Sequence, residues 1–172
     1  MAWTELLREV PDFPAPGVLF RDVLPVMSDP GAWHEVLDGM ESLLKKTGAE
    51  ALLAPEARGF LIAAPLADRL NMGLVPVRKP GKLPHPILRE AYSLEYGDNQ
   101  LEIEATIPLA GKRVVVVDDV LATGGTVAAC ARLAQRLSAD VVGYAFLIEL
   151  KALGGREKLD LRTAEVMSLL VL

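Results

Sequence analysis

Val114-Val115-Val116-Val117-Asp118-Asp119-Val120-Leu121-Ala122-Thr123-Gly124-Gly125-Thr126 decides how the rest of the chain is read. Four consecutive valines suit a strand buried on both faces. Behind the quoted stretch, Val127, Cys130, Leu133, Ala134 and Leu137 recur at helical spacing, and Val141 to Leu150 reads as another strand. The unit is strand, turn, helix, strand. Ligands of such sheets bind beyond the carboxyl ends of the strands, which draws attention to Asp118 to Thr126. Gly124 and Gly125 let backbone N–H groups turn inward, and Thr123 and Thr126 add hydroxyl donors. The start of the helix adds about half a positive charge. Ala122 to Thr126 thus reads as a cradle for a phosphate monoester. No Gly-Lys-Ser/Thr is present, which argues against a nucleoside-triphosphate loop and a kinase built on one.

Asp118 and Asp119 precede the cradle. Neighbours in an extended chain point to opposite sides, so both reach one ligand if the chain bends immediately after the valines. Beside a phosphate cradle, two carboxylates suit the vicinal hydroxyls of a sugar phosphate. A Mg²⁺ site is the alternative. Two aspartates alone signal it weakly, because Mg²⁺ takes few protein ligands and completes its shell with substrate oxygens and water. A plain tight turn explains the glycines but not the carboxylates before them.

Upstream, Asp29-Pro30 marks a helix start, followed by Trp33, Val36, Leu37, Met40, Leu43 and Leu44 at helical spacing. Ala51 to Ala54 reads as a buried strand, Gly59 to Leu70 as a helix and Leu74 to Val77 as a strand. Three prolines and a glycine between Lys79 and Pro86 forbid regular structure there. Ala91 to Tyr96 and Leu101 to Ile107 are expected to pair as a hairpin around Gly97-Asp98-Asn99. Loop and hairpin together form an arm of the kind that often serves as a lid. Alternating strands and helices make the chain α/β with a largely parallel sheet.

The 172 residues suit one domain and bury a core without disulfides; Cys130, the single cysteine, reads as core. With 51% hydrophobic residues, disorder is not expected. No run approaches the roughly 20 apolar residues of a membrane span, and the N-terminus lacks a signal-peptide layout. A cytoplasmic protein without membrane partners is expected. The net charge of −5 argues against nucleic-acid binding. Between Glu56 and Arg89, however, six basic residues accompany two acidic ones. That window is either a solvated basic surface or a local site for a small polyanion.

Val114 to Thr126 resembles the phosphoribosyl-pyrophosphate signature of type I phosphoribosyltransferases. Other segments, in order along essentially the whole chain, resemble the adenine phosphoribosyltransferases within that family. They are Phe13-Pro14-Ala15-Pro16-Gly17-Val18-Leu19-Phe20-Arg21-Asp22, Glu56-Ala57-Arg58-Gly59-Phe60, Arg78-Lys79-Pro80-Gly81-Lys82-Leu83-Pro84, Tyr92-Ser93-Leu94-Glu95-Tyr96-Gly97 and Gly155-Arg156-Glu157-Lys158-Leu159. Ala54-Pro55 before Glu56, and the surroundings of His85, depart from the pattern.

The resemblance implies a type I phosphoribosyltransferase fold in one domain, residues 1–172. A mostly parallel twisted sheet is flanked by helices, with a small hood mainly from the N-terminal segment and a flexible arm at about 79–107. The implied reaction is adenine plus phosphoribosyl pyrophosphate giving AMP and pyrophosphate, in a homodimer. Mg²⁺ is held mainly through substrate and water, with no direct protein ligand. Asp118 and Asp119 would hold the ribose hydroxyls, and Ala122, Thr123, Gly124, Gly125 and Thr126 the 5′-phosphate. Arg58, Arg78, Lys79 and Lys82 would serve the pyrophosphate. Leu19, Phe20, Arg21 and Leu150 would line the adenine pocket, and Glu95 would activate the base. The resemblance also suggests a cis bond at Glu56–Ala57. Two competing readings are an enzyme for hypoxanthine, guanine or xanthine, and a non-catalytic phosphoribosyl pyrophosphate sensor. The purine-pocket segment and Leu94-Glu95-Tyr96-Gly97 disfavour the first, and the lack of a basic helix-turn-helix disfavours the second.

Overall fold

The computed structural model describes residues 2–94 and 97–172. It forms two compact units, Met1–Gly39 and Met40–Leu172. In the first, a 3-10 turn (Trp3–Leu6) leads into an antiparallel pair, β1 (Arg8–Pro11) and β2 (Leu19–Asp22), in register from Arg8↔Asp22 to Pro11↔Leu19. The connection folds back on itself: Asp12 Oδ1 accepts from the Gly17 N–H at 2.6 Å, and Phe13–Pro14 is cis. Phe13 and Phe20 meet edge to face with centroids 5.1 Å apart. A short helix, α1 (Leu24–Ser28), precedes α2 (Pro30–Leu44), within which the first unit ends. The start of α2 is as expected: Asp29 Oδ1 accepts from the Ala32 N–H at 2.8 Å, satisfying one of the donors a helix leaves open.

The second unit contains β3 (Ala51–Pro55), α3 (Arg58–Leu70), β4 (Gly73–Val77), β5 (Ile87–Leu94), β6 (Gly97–Glu104), β7 (Arg113–Leu121), α4 (Gly125–Arg136), β8 (Asp140–Glu149) and β9 (Glu165–Val171). Five parallel strands run in the order β4-β3-β7-β8-β9. The chain leaves β3 towards one edge and β7 towards the other. The order therefore reverses between β3 and β7, and the carboxyl ends of these two strands border the crevice where such sheets bind ligands.

Val114 to Val117 are all fully buried, as four apolar residues in a row require. Val114 and Val116 join the core with Val127, Cys130 and Leu133 of α4, while α3 also packs on β7. Burial raises the Cys130 thiol well above its ordinary range, which fits a core residue. No helix among the described residues is long and apolar enough to cross a membrane.

Three expectations change. Strand β7 does not end at Val117 but runs to Leu121, so both aspartates lie within it. The strand after α4 spans Asp140–Glu149 rather than Val141 to Leu150, and a further strand, β9, follows it and forms the sheet's edge. The hairpin pairing differs in its bounds. β5 begins at Ile87, the register closes on Leu94↔Gly97, and Gly97 to Asn99 belong to β6.

The base of the hairpin is built into the unit. Leu101 and Ile103 are in the core, Leu88 and Tyr92 pack on it, and Arg132 of α4 donates to Glu90 at 2.5 Å. Glu102 is wholly buried. Its carboxylate accepts from Arg89 Nε at 2.9 Å and from the Gly81 N–H at 3.1 Å, which ties the proline-rich loop to β6.

Candidate active site

The loop between β7 and α4 lines a cavity of about 170 Å³ with Ala122, Thr123, Gly124, Gly125 and Thr126, and Asp118 at its border. Gly124 is the N-cap of α4 and sits in the left-handed region at φ 79°, which a glycine adopts without steric cost. It supplies no side chain to cap the helix, so the first N–H groups of α4 are left to whatever occupies the cavity.

A second cavity, of about 390 Å³, adjoins the first through Asp118 and Thr126 and is also lined by Asp119, Arg58, Lys79 and Tyr92. Both aspartates line it although both lie within β7. β3 pairs with β7 from Ala51↔Val114 to Leu53↔Val116, and the residues beyond, 117–121, meet the start of α3 instead. Asp119 is 3% exposed and accepts from Arg58 Nε in a short ion pair. Asp118 accepts the Asp119 N–H at 2.9 Å. Burial, and then the neighbouring negative charge of Asp119, push the Asp118 carboxyl well above the ordinary aspartate range.

Arg58 opens α3 directly after the Glu56–Ala57 bond, which is cis as the resemblance suggests. The next residue must be small. A Cβ at Gly59 would lie 3.0 Å from the Val117 carbonyl oxygen and 3.2 Å from Asp118 Oδ1. Gly59 thus lets α3 begin against the acidic end of β7.

The remaining basic residues divide. Lys79 lines the second cavity. Arg78 borders it through Glu56, whose Oε2 accepts from Arg78 Nε at 2.9 Å and from the Lys79 N–H at 3.0 Å. The Lys79 N–H and then Arg78 hold the Glu56 carboxyl below its ordinary range. Lys82 is exposed in the proline-rich loop and does not line either cavity. In the first unit, Leu19 is exposed, Phe20 packs on Phe13, and Arg21 pairs with Glu9 across the β1–β2 ladder. Leu150 follows β8, and its N–H donates to the Leu121 carbonyl at 2.9 Å. Glu95, like Tyr96, lies outside the described residues.

The sequence assigns Glu56 no role at the site, names Gly155 and Arg156 only within a resembling segment, and leaves Glu149 unremarked. Glu56 orders Arg78 and Lys79. Glu149, 3% exposed, pairs with Arg156 through two hydrogen bonds of 2.5 and 2.7 Å. The sequence signals that could have found the pair are an acidic residue closing the apolar run Ala145 to Ile148 and an arginine directly after Gly154-Gly155.

Residues 31–167 match the family model of the phosphoribosyl transferase domain. The adenine phosphoribosyltransferase of Synechococcus sp. (strain RCC307) is 54% identical over 154 residues, covering 90% of this chain and 87% of the relative. The solved adenine phosphoribosyltransferase of Thermoanaerobacter pseudethanolicus matches with a TM-score of 0.93 at 46% identity, over 98% of this chain and 97% of that one. The Saccharomyces cerevisiae enzyme, solved with D-2,5-dideoxy-2,5-imino-altritol 1,6-bisphosphate and adenine, matches at a TM-score of 0.89 and 38% identity, over 97% of each chain. Likeness of this extent in both sequence and fold settles the kinship that the β7–α4 loop suggests: the chain belongs to the adenine phosphoribosyltransferases of the phosphoribosyltransferase family.

Proposed function

We propose that the protein transfers the 5-phosphoribosyl group of phosphoribosyl pyrophosphate to adenine, giving AMP and pyrophosphate. One observation carries this. At the β3–β7 crevice, an uncapped helix start, two carboxylates and two cations line adjoining cavities that share Asp118 and Thr126. That order of groups suits a 5′-phosphate, ribose hydroxyls and a polyanionic leaving group in turn.

In this reading the loop Ala122 to Thr126 binds the 5′-phosphate through backbone N–H groups and hydroxyls. Asp118 and Asp119 accept from the ribose hydroxyls. Arg58 and Lys79, with Arg78 and Lys82 from the neighbouring loop, stabilise the pyrophosphate. The C1–O bond to pyrophosphate breaks as N9 of adenine bonds to C1, through an oxocarbenium-like ribosyl centre. No protein nucleophile is required, because positioning and electrostatics lower the barrier. Leu19, Phe20, Arg21 and Leu150 hold the base. Glu95 accepts the proton that leaves N7 as charge drains from the ring.

Mg²⁺ fits the donor set as a substrate-borne ion. The site offers adjacent carboxylates, one already engaged by Arg58, so the ion's shell would come mainly from substrate oxygens and water. When bound it would offset charge on the pyrophosphate. We further take the protein to be a cytoplasmic homodimer of one functional domain, with a hood mainly from the N-terminal segment and the arm at about 79–107 acting as a lid. The family resemblance supports these points, and the net charge of −5 disfavours nucleic acid as a partner. Titration calorimetry with phosphoribosyl pyrophosphate and Mg²⁺ tests the site: saturable one-to-one binding is expected, and no binding would remove the basis of this assignment.

A further inference from the structure

Beyond β8 the chain makes two short 3-10 turns, Lys151–Leu153 and Gly155–Lys158. The second lies against the back of the phosphate loop. A Cβ at Gly124 would overlap the Gly155 carbonyl oxygen and sit 3.1 Å from its carbonyl carbon. A Cβ at Gly155 would overlap the Ala122 carbonyl oxygen and lie 2.8 Å from Leu121 Cδ1. The contact is backbone against backbone, so any shift of this turn is transmitted to the loop.

Arg156 fastens the turn. Its Nε donates to Glu149 Oε1 at 2.5 Å and its Nη2 to Oε2 at 2.7 Å, while Ser168 Oγ donates to the same Oε2 at 3.1 Å. Glu149 is level with Leu121 in the β7–β8 register, and so stands beside the point where the loop begins. A two-pronged guanidinium–carboxylate pair fixes orientation as well as distance. Neither side chain lines the phosphate cavity.

We propose that Glu149 and Arg156 are positioning residues for the 5′-phosphate. They hold Gly155 against the back of Ala122–Gly124 and thereby keep the loop's N–H groups aimed into the cavity. This rests on the assignment of Ala122 to Thr126 as the phosphate cradle. Prior ordering of the loop means that less freedom is lost when ligand binds. The Glu149 carboxyl, held below its ordinary range by Arg156 and then by Ser168, stays ionised at neutral pH.

The test compares two ligands that report on different ends of the site. Ribose 5-phosphate needs the loop, whereas pyrophosphate with Mg²⁺ needs Arg58 and Lys79. Calorimetric affinities are measured for wild type, Arg156→Met, Arg156→Lys and Gly155→Ala. Arg156→Met and Gly155→Ala are expected to weaken ribose 5-phosphate by about tenfold or more, since small misplacements of binding groups carry costs of this order, and to change pyrophosphate by less than about twofold. Arg156→Lys keeps the charge but not the fork, and should fall in between. Unchanged ribose 5-phosphate affinity in Arg156→Met overturns the proposal, even if Gly155→Ala fails to fold. Equal losses for both ligands overturn it too, because they mark general loosening. Wild type that binds pyrophosphate but not ribose 5-phosphate overturns the cradle assignment itself.

Discussion

Arg58, the first residue of α3, donates from Nε to the buried carboxylate of Asp119, 61 residues away at the acidic end of β7. The pair joins the start of α3 to the end of β7, and in the proposed function it sets the cation for the leaving group beside a carboxylate for the ribose.

The pair makes a prediction about coupling. Asp119→Asn should lower kcat/KM by roughly 10- to 1,000-fold, as expected for a charged hydrogen bond that strengthens in the transition state. Arg58→Met should raise KM for phosphoribosyl pyrophosphate and leave a buried carboxylate without its guanidinium. In the double variant the stability losses should fall short of their sum, with a coupling of about 0.5–3 kcal/mol. Chemical denaturation of the four proteins measures this, and strictly additive losses would mean the pair does not act as a unit.

Asp118 should trade stability for function. Folding raises its carboxyl pKa, so the native state holds the proton more tightly than the unfolded chain does. The native state therefore loses stability as pH climbs from the ordinary value of 3.8 through the raised one, and the full penalty applies above it. Asparagine keeps an oxygen to accept the Asp119 N–H and carries no charge. Asp118→Asn is expected to raise Tm at pH 8, by about 2–4 °C for each kcal/mol relieved, and to lower kcat/KM at least tenfold. The Tm gain should vanish near pH 3. Calorimetric scans at both pH values check this, and a variant less stable than wild type at pH 8 would refute it.

What the sequence made legible follows from local order. Four valines announce β7, the Asp-Asp and glycine-threonine stretch announces the loop, and a capping aspartate announces α2. Arg58 and Asp119 were each assigned to the site, but their partnership across 61 residues has no local trace. The Glu149–Arg156 pair is similar, since it closes only because Gly154 turns at φ 63°. β9 was missed because its burial is partial and does not alternate cleanly, as suits an edge strand. The strand end at Val117 was misplaced because two aspartates look like a turn. They remain in the strand because β8 continues to pair with it, from Asp118↔Phe146 to Leu121↔Glu149.

Glu95 carries the proposed base activation. Glu95→Gln should lower kcat by about 10²- to 10⁴-fold, the usual range for general-base help, with phosphoribosyl pyrophosphate affinity nearly intact. Glu95→Leu should be slower still. Single-turnover kinetics isolate the chemical step, and wild-type rates in both variants would leave Glu95 without a part in it.

The central claim is the identity of the base, and product analysis tests it most directly. The purified protein is supplied with phosphoribosyl pyrophosphate, Mg²⁺ and, separately, adenine, hypoxanthine, guanine or xanthine, and nucleotide and pyrophosphate are quantified. The account predicts AMP and pyrophosphate in equal amounts from adenine, with kcat/KM for each other base lower by about 10³-fold or more, the scale of discrimination that unpaired buried polar groups produce. Turnover of another purine at a comparable kcat/KM, or none with adenine, would contradict it.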